Sequence, residues 1–252
     1  MNIQFHLRLA VALLLAASSV TLRAADPAKI SQPIRVICIG DSITAGARTD
    51  APEKESYPAQ LQVLLGEGYA VTNCGVGSCT LIRKGRPNVW TTLAQIKAQQ
   101  LNPDVVIINL GVNDTCGAPR KCWDHREDFA GDYRDLIKEL RALPSEPQIW
   151  LCAPTPMVLE TPGVTGARQK DLTARMPRLD ELIDTIQELS KEQATGFIDL
   201  HTPFVDKPEL FTPKDGVHPN KEGYAAIAQV IAEAIQKPAE NSHNKSVNRS
   251  SD

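Results

Sequence analysis

The sequence predicts a doubly wound α/β domain built on a five-stranded parallel sheet. Short β-branched runs alternate with longer amphipathic segments five times over, the order from which strand–helix–strand crossovers are made. The runs are also apolar at consecutive residues rather than alternate ones, as in Val105–Leu110. A strand of that kind has both faces buried, so helices must cover both sides of the sheet.

The elements follow in order. IRVICIG, Ile34–Gly40, is the first strand and is expected to be central; SYPAQLQVLLGEG is the amphipathic segment after it. YAVTNCG and TLAQIKAQQL form the second pair, DVVIINLG and DFAGDYRDLIKELRAL the third. PQIWLCAP with LTARMPRLDELIDTIQELSKEQ, then GFIDL with KEGYAAIAQVIAEAIQK, complete the alternation. No linker-like composition divides the stretch 34–237, which therefore reads as one domain. The remainder, 238–252, is polar and aperiodic, the composition of a disordered tail. Its two Asn-x-Ser sequons, at Asn244 and Asn248, are as compatible with chance as with signal.

At the other end, Arg8 precedes an apolar stretch, Leu9–Leu15, followed by small residues. This is the layout of a secretory signal over residues 1–25, implying a secreted or periplasmic protein. The stretch is short for a membrane span, leaving an uncleaved anchor as the alternative. A net charge of -3 provides no basic footprint for nucleic acid. The expected partner is a small neutral or weakly polar molecule.

Six cysteines, an even number, suit an oxidising compartment. Cys38 and Cys152 lie in apolar runs and read as buried thiols. Cys116 with Cys122, and Cys74 with Cys79, are spaced for local bridges. The chain has no C-x-x-C pair and no His-x-x-x-His, so no metal site is expected.

Ligands of an open parallel sheet bind beyond the carboxyl ends of its strands. The loops there are GDSITAG, NCGVGSCTL, GVNDTCG, APTPM and, farther on, DGVHPN. Ser42 supplies a hydroxyl that needs a base before it is nucleophilic. Of the five histidines, His6 and His243 fall in the terminal segments, leaving His125, His201 and His218. His218 has Asp215 three residues before it, where a carboxylate can hold the other ring nitrogen. General-base help is worth about 10² to 10⁴ in rate. Asn113 offers an amide to a developing oxyanion, with backbone N–H groups of Ser42 and the GVGSC loop beside it. Each piece alone has an ordinary reading: a Gly-Asp-Ser turn, an Asn-Asp turn, a helix N-cap before a surface histidine. Their joint placement at the ends of one sheet favours chemistry.

GDSITAG, NCGVGSCT, GVND and DGVHPN, in that order, resemble the four signature blocks of the SGNH or GDSL hydrolase superfamily. The resemblance implies a flavodoxin-like three-layer α/β/α fold and serine esterase chemistry without a cofactor. Ser42 would be the nucleophile, His218 the base and Asp215 its orienter, with Asn113 and the second block's backbone N–H in the oxyanion hole. That block departs from the usual Asn-x-Gly-x-Ser-Gly-x-Thr, placing Ser78 where a glycine is expected. If the position needs positive φ, either strain follows or Gly77 takes over the donation.

The stretch from Val71 to Thr115, with LCAPTPM and IDLHTPF, looks like bacterial sialate O-acetylesterase-like enzymes and carbohydrate acetylesterases. That likeness implies a glycan acyl ester as substrate. Arg83, Lys84, Arg86 and Trp90 follow the oxyanion loop and are candidates for one wall of the site, with Trp90 stacking on a sugar; an ordinary packed loop is the alternative. Rival readings are a lipid or thioester esterase, disfavoured by 5% aromatics and the lack of a long apolar loop near the site, and a non-catalytic carbohydrate-binding protein on the same fold. A flavin carrier is more distant, because GDSITAG is not a G-x-G-x-x-G phosphate loop.

Overall fold

The computed structural model describes residues 32–236. The expected signal segment 1–25, Lys237 and the tail 238–252 with its sequons lie outside the described residues. Five strands form: β1 (Ile34–Gly40), β2 (Tyr69–Gly75), β3 (Val105–Asn109), β4 (Gln148–Ala153) and β5 (Gly196–Asp199). Every adjacent pair is parallel, in the order β2-β1-β3-β4-β5. The middle strand is therefore β3, a correction to the expected centrality of β1. The chain steps from β1 outward to β2, then crosses back to lay β3, β4 and β5 on the other side. That reversal at β1/β3 opens a crevice between the two carboxyl ends.

The helices are α1 (Ser42–Ala45), α2 (Pro52–Glu55), α3 (Tyr57–Leu65), α4 (Val89–Ala98), α5 (Phe129–Arg141), α6 (Gly166–Glu192) and α7 (Lys221–Gln236). Alternate residues of β1 serve opposite faces. Val36 and Cys38 join Ile107, Tyr57, Leu61, Ile227 and Ile231, packing α3 and α7 on one side. Ile37 and Ile39 join Ile108, Leu93, Ile96, Tyr133 and Leu136, packing α4 and α5 on the other. Each fully buried Ile or Leu contributes roughly 1.5–3 kcal/mol, which is why consecutive apolar residues in a strand translate into three layers.

Helix α6 begins at Gly166, ahead of the expected Leu172, and continues through Pro177. Its first turns are polar and carry no apolar periodicity; their arginines bond to loops at the crevice. Leu172 and Leu179 of α6 pack in the first cluster, Leu182, Ile186 and Leu189 in the second. Among the described residues no helix is long and apolar enough to cross a membrane.

All six cysteines are free thiols, which corrects the two expected local bridges. Cys79 points into the α4/α5 cluster, and burial pushes its thiol up to about 12. Burial likewise pushes Cys74 up to about 11. Neither is a thiolate near neutrality, the form that bridge formation needs. Cys116 Sγ and Cys122 Sγ contact Arg120 instead, through Nη1 and the backbone oxygen respectively, each at 3.8 Å.

Candidate active site

The turn from β1 into α1 is tight because nothing but glycine fits at Gly40: a Cβ there would stand 1.9 Å from Thr44 Oγ1 and 2.7 Å from Asn109 O. Gly75 at the end of β2 is similarly confined, 2.3 Å from Ala45 N. Asp41 caps α1 by accepting the Ile43 N–H at 2.8 Å. Asn73 ties β2 to the same turn, its Nδ2 donating to Thr44 O at 2.9 Å. Ser42, the first residue of α1, thus leaves the sheet at the switch point on a short helix fixed from both flanks.

His218 and Asp215 arrive from the long connection between β5 and α7. An antiparallel bridge, Phe211 with Pro219, closes that loop, and the Thr212 N–H donates to His218 O at 2.9 Å. Gly216, at φ 65°, lies where a Cβ would meet Val158 O at 2.2 Å. Asp215 Oδ1 accepts the N–H groups of Val217 and His218, both at 3.1 Å, so Asp-x-x-His here is an Asx-type turn rather than a helix cap. The carboxylate's other oxygen faces His218 Nδ1 at 2.9 Å, and His218 Nε2 faces Ser42 Oγ at 2.9 Å. Hydroxyl, imidazole and carboxylate therefore form one hydrogen-bonded chain. Such a chain can remove the serine proton and stabilise the imidazolium that results.

Burial pushes the Asp215 carboxyl up, but hydrogen bonds from His218 and its charge outweigh burial and hold the group well below the ordinary carboxylate range. It stays ionised at any neutral or mildly acidic pH. Arg48 also donates from Nε to Asp215 Oδ2 at 3.1 Å, and Arg168 donates from Nε and Nη2 to Asp215 O at 3.0 and 2.8 Å. Arg48 holds a left-handed φ of 73°, an unusual cost for a side chain with a Cβ.

The second and third blocks meet through Asp114, which is buried and accepts the N–H groups of Leu81 and Ile82 at 3.1 and 2.9 Å. Asn113 beside it donates from Nδ2 to Asp41 Oδ2 at 3.0 Å and to Cys79 O at 3.1 Å. Both amide hydrogens thus have acceptors, and an oxyanion would share one of them in a three-centre bond. Ser78 has φ 62°, the positive value at which strain was expected. It is the third residue of a β-turn closed by the Cys79 N–H on Val76 O at 3.0 Å, a place that favours glycine or asparagine. The left-handed region costs an L-residue roughly 1–2 kcal/mol. Gly77 and Ser78 both line the crevice.

Ser42, Gly77, Ser78, Asn113 and His218 surround one open crevice of about 400 Å³, whose wall also includes Arg48, Arg120, Arg168 and Arg175 and no carboxylate. A larger concavity of about 540 Å³ beside α2 and α3, lined by Pro52, Lys54, Gln62 and Val63, has no histidine in its wall. Trp90 is not brought to the Ser42 crevice. Its ring packs against the α4/α5 cluster and is covered by the Arg83 guanidinium, 3.2 Å from the centroid. Arg83 and Lys84 pair with Asp132, Asp135 and Asp128 instead of lining the site. His201 stands elsewhere, with Nδ1 at 3.1 Å from Pro154 O, in a separate cavity with Met157, Met176 and Asp180.

Sequence reasoning missed Arg48, Arg120, Arg168 and Arg175. Arg168 and Arg175 are seven apart on α6, and Arg178 continues the stripe; Arg175 donates to Thr115 Oγ1 and Val112 O, Arg178 to Thr115 O. Arginines at helical spacing among the leucines of that segment were the available signal.

Asp41 provides a test of this electrostatic picture. Burial pushes its carboxyl up to about 6, against the opposing pull of the Ile43 N–H, His218 and Asn113. A folded value above the unfolded value of about 3.9 means that the native state takes up a proton as pH falls from 6 to 4, so this group makes the fold relatively more stable on acidification. Urea unfolding of the parent and of Asp41→Asn at pH 7 and pH 4.5 should show the parent gaining about 2 kcal/mol on the variant at the lower pH. Parallel pH profiles would refute it.

Comparisons with known proteins agree with this architecture. The GDSL-like lipase/acylhydrolase family matches residues 38–226. An acetylxylan esterase of Xylanibacter ruminicola is 36% identical over 227 residues, covering 83% of this chain and 45% of that protein, so the chain spans about half the length of the curated relative it matches. Among solved structures, a carbohydrate acetylesterase from Sinorhizobium meliloti gives a TM-score of 0.63 at 21% identity, covering 80% of this chain and 97% of the other. An acetyl xylan esterase gives 0.60 at 23%, covering 80% and 100%. These two likenesses establish the α/β fold, while the family match spans all four sequence blocks up to the DGVHPN loop. The chain belongs to the GDSL-like lipase/acylhydrolase family.

Proposed function

We propose that the protein is a serine esterase that removes short acyl groups, acetyl above all, from sugar hydroxyls. The observation that carries this reading is the continuous chain Ser42 Oγ, His218, Asp215, with both contacts at 2.9 Å. Ser42 attacks the ester carbonyl, His218 takes its proton and returns it to the leaving sugar hydroxyl, and Asp215 holds the ring. The acyl group remains on Ser42 until water, activated by the same imidazole, releases it. Asn113 and the backbone N–H of Ser78 or Gly77 receive the oxyanion. Export directed by residues 1–25 is part of the proposal and is supported by the sequence pattern alone.

A sugar ester is supported by the curated relative's name, acetylxylan esterase, and by an open, polar crevice rather than an apolar groove. Of the four arginines in the wall, Arg48 is paired with Asp215 and Arg168 and Arg175 with Asp171, whereas the polar partners of Arg120 are neutral; that one uncompensated cation favours acceptors that carry a carboxylate on the ring. Acetate release is the measurement, from acetylated xylo-oligosaccharides, acetylated galacturonate and O-acetyl sialic acid, with acetyl and octanoyl p-nitrophenyl esters alongside. Acetyl should exceed octanoyl. The acidic sugars should show the lower KM at low salt, and the advantage should shrink as salt screens it. A preference for octanoyl would replace the sugar reading with a lipid one, and glycan binding without acetate release would leave a non-catalytic carbohydrate-binding protein.

A further inference from the structure

Arg120 is a half-buried guanidinium whose polar partners are all neutral. Its Nη1 donates to Asn113 Oδ1 at 2.8 Å and approaches Cys116 Sγ at 3.8 Å, and its Nη2 donates to Ser78 O at 2.7 Å. Ser78 comes from the loop after β2 and Asn113 from the loop after β3. One side chain therefore joins the two groups that would receive the oxyanion.

We infer that Arg120 is a positioning residue of the oxyanion hole, bracing the Asn113 amide and the strained Ser78 peptide into donating geometry; the inference rests on the esterase reading given above. Each contact has a physical consequence. A cation on Oδ1 fixes which end of the Asn113 amide points inward, leaving Nδ2 toward Asp41 and Cys79 O, and polarises its N–H groups into better donors. The bond to Ser78 O pins the carbonyl of a residue at φ 62°, which would otherwise gain by relaxing out of the left-handed region. With no carboxylate among Arg120's partners, its charge is left to act on an anion forming in the crevice it lines.

The brace is itself anchored. Lys121 N–H donates to Gly117 O at 2.8 Å and Trp123 N–H to Cys116 O at 3.0 Å. Arg178 of α6 donates to Thr115 O at 2.9 Å, and its guanidinium lies 5.4 Å from the Trp123 ring. The loop thus holds Arg120 from its own backbone and from α6, so loss of the side chain need not collapse it.

The test is steady-state hydrolysis of p-nitrophenyl acetate by the parent, Arg120→Ala and Arg120→Lys, with thermal melting of each. Arg120→Ala should lose about 10- to 100-fold in kcat with KM changed less than about threefold. Arg120→Lys should recover part of the loss, since an ammonium is a point charge without the planar fork that spans both oxygens. Added guanidinium ion at millimolar concentration should raise kcat of Arg120→Ala and leave Arg120→Lys and the parent unaffected. An Arg120→Ala kcat within twofold of the parent, or a loss confined to KM, would overturn the assignment. So would a loss that follows melting temperature and is not rescued by guanidinium. If Arg120→Ala does not fold, the kcat of Arg120→Lys decides: a reduced kcat at parental melting temperature supports the brace, and a parental kcat overturns it. A parent protein without turnover would instead sink the esterase reading itself.

Discussion

Replacing Ser42 by alanine is expected to lower kcat/KM for p-nitrophenyl acetate by about 10⁴- to 10⁶-fold, without a measurable change in melting temperature. The size follows from what is removed. Ser42 Oγ is the atom that meets His218 Nε2 at 2.9 Å, and no other hydroxyl in the crevice wall is bonded to that ring; the Ser78 side chain is in the same wall without such a contact. The fold should be indifferent, because the turn is held by Asp41 on the Ile43 N–H and by Asn73 on Thr44 O, none of which uses the hydroxyl. His218→Ala should cost a comparable factor, and the double variant no more than either single one, since groups that act as a unit are not additive. Residual activity, a few powers of ten above water, would come from the oxyanion donors. Retention of a tenth of the parental rate by Ser42→Ala would end the proposal.

How much of this was readable beforehand depends on the kind of interaction involved. Consecutive apolar residues in β1 and β3 carry their double-sided burial in the sequence itself, so the parallel sheet and its helical layers were legible. Loops at strand ends could be chosen by rule, which brought Ser42, Asn113, Asp215 and His218 to attention. What failed was anything decided by which way a side chain turns in the folded chain, near or far in sequence. Arg48 and Arg168 reach Asp215 across intervals of 167 and 47 residues, and no local pattern marks them as neighbours of a carboxylate. Trp90 looked available for stacking because its position after the oxyanion loop was visible, whereas the Arg83 side chain covering its ring was not. Cysteine spacing gave two candidate bridges, but spacing does not say which way Sγ atoms point; Cys79 turns into the apolar cluster. Ser78 was the informative departure. A serine where glycine was expected raised the question of φ, and the structure answers it with 62° and a guanidinium on the carbonyl.

Asp215→Asn is expected to reduce kcat by about 10⁴-fold and to lower stability at neutral pH, although the two side chains are nearly the same shape. The surrounding donors dictate why. Oδ1 receives two backbone N–H groups, from Val217 and His218, at 3.1 Å each, so an asparagine must keep its oxygen there. Its NH₂ is then forced into the place of Oδ2, opposite His218 Nδ1 and the Arg48 Nε–H, which lie at 2.9 and 3.1 Å in the parent. Two donors now face each other at Arg48. The imidazole must accept at Nδ1, which moves its proton to Nε2, the nitrogen that has to receive the Ser42 proton. The base is thereby blocked by tautomer rather than by displacement. Imidazole ¹⁵N chemical shifts report which nitrogen carries the proton and should show Nδ1–H in the parent and Nε2–H in the variant. The carboxylate also stabilises the fold above pH about 4, because its folded value is depressed. That contribution fades as pH falls further, so parent and variant should converge in stability toward strong acid. A variant that kept its proton on Nδ1 would show that Asp215 does not select the tautomer, and the lost turnover would need another cause.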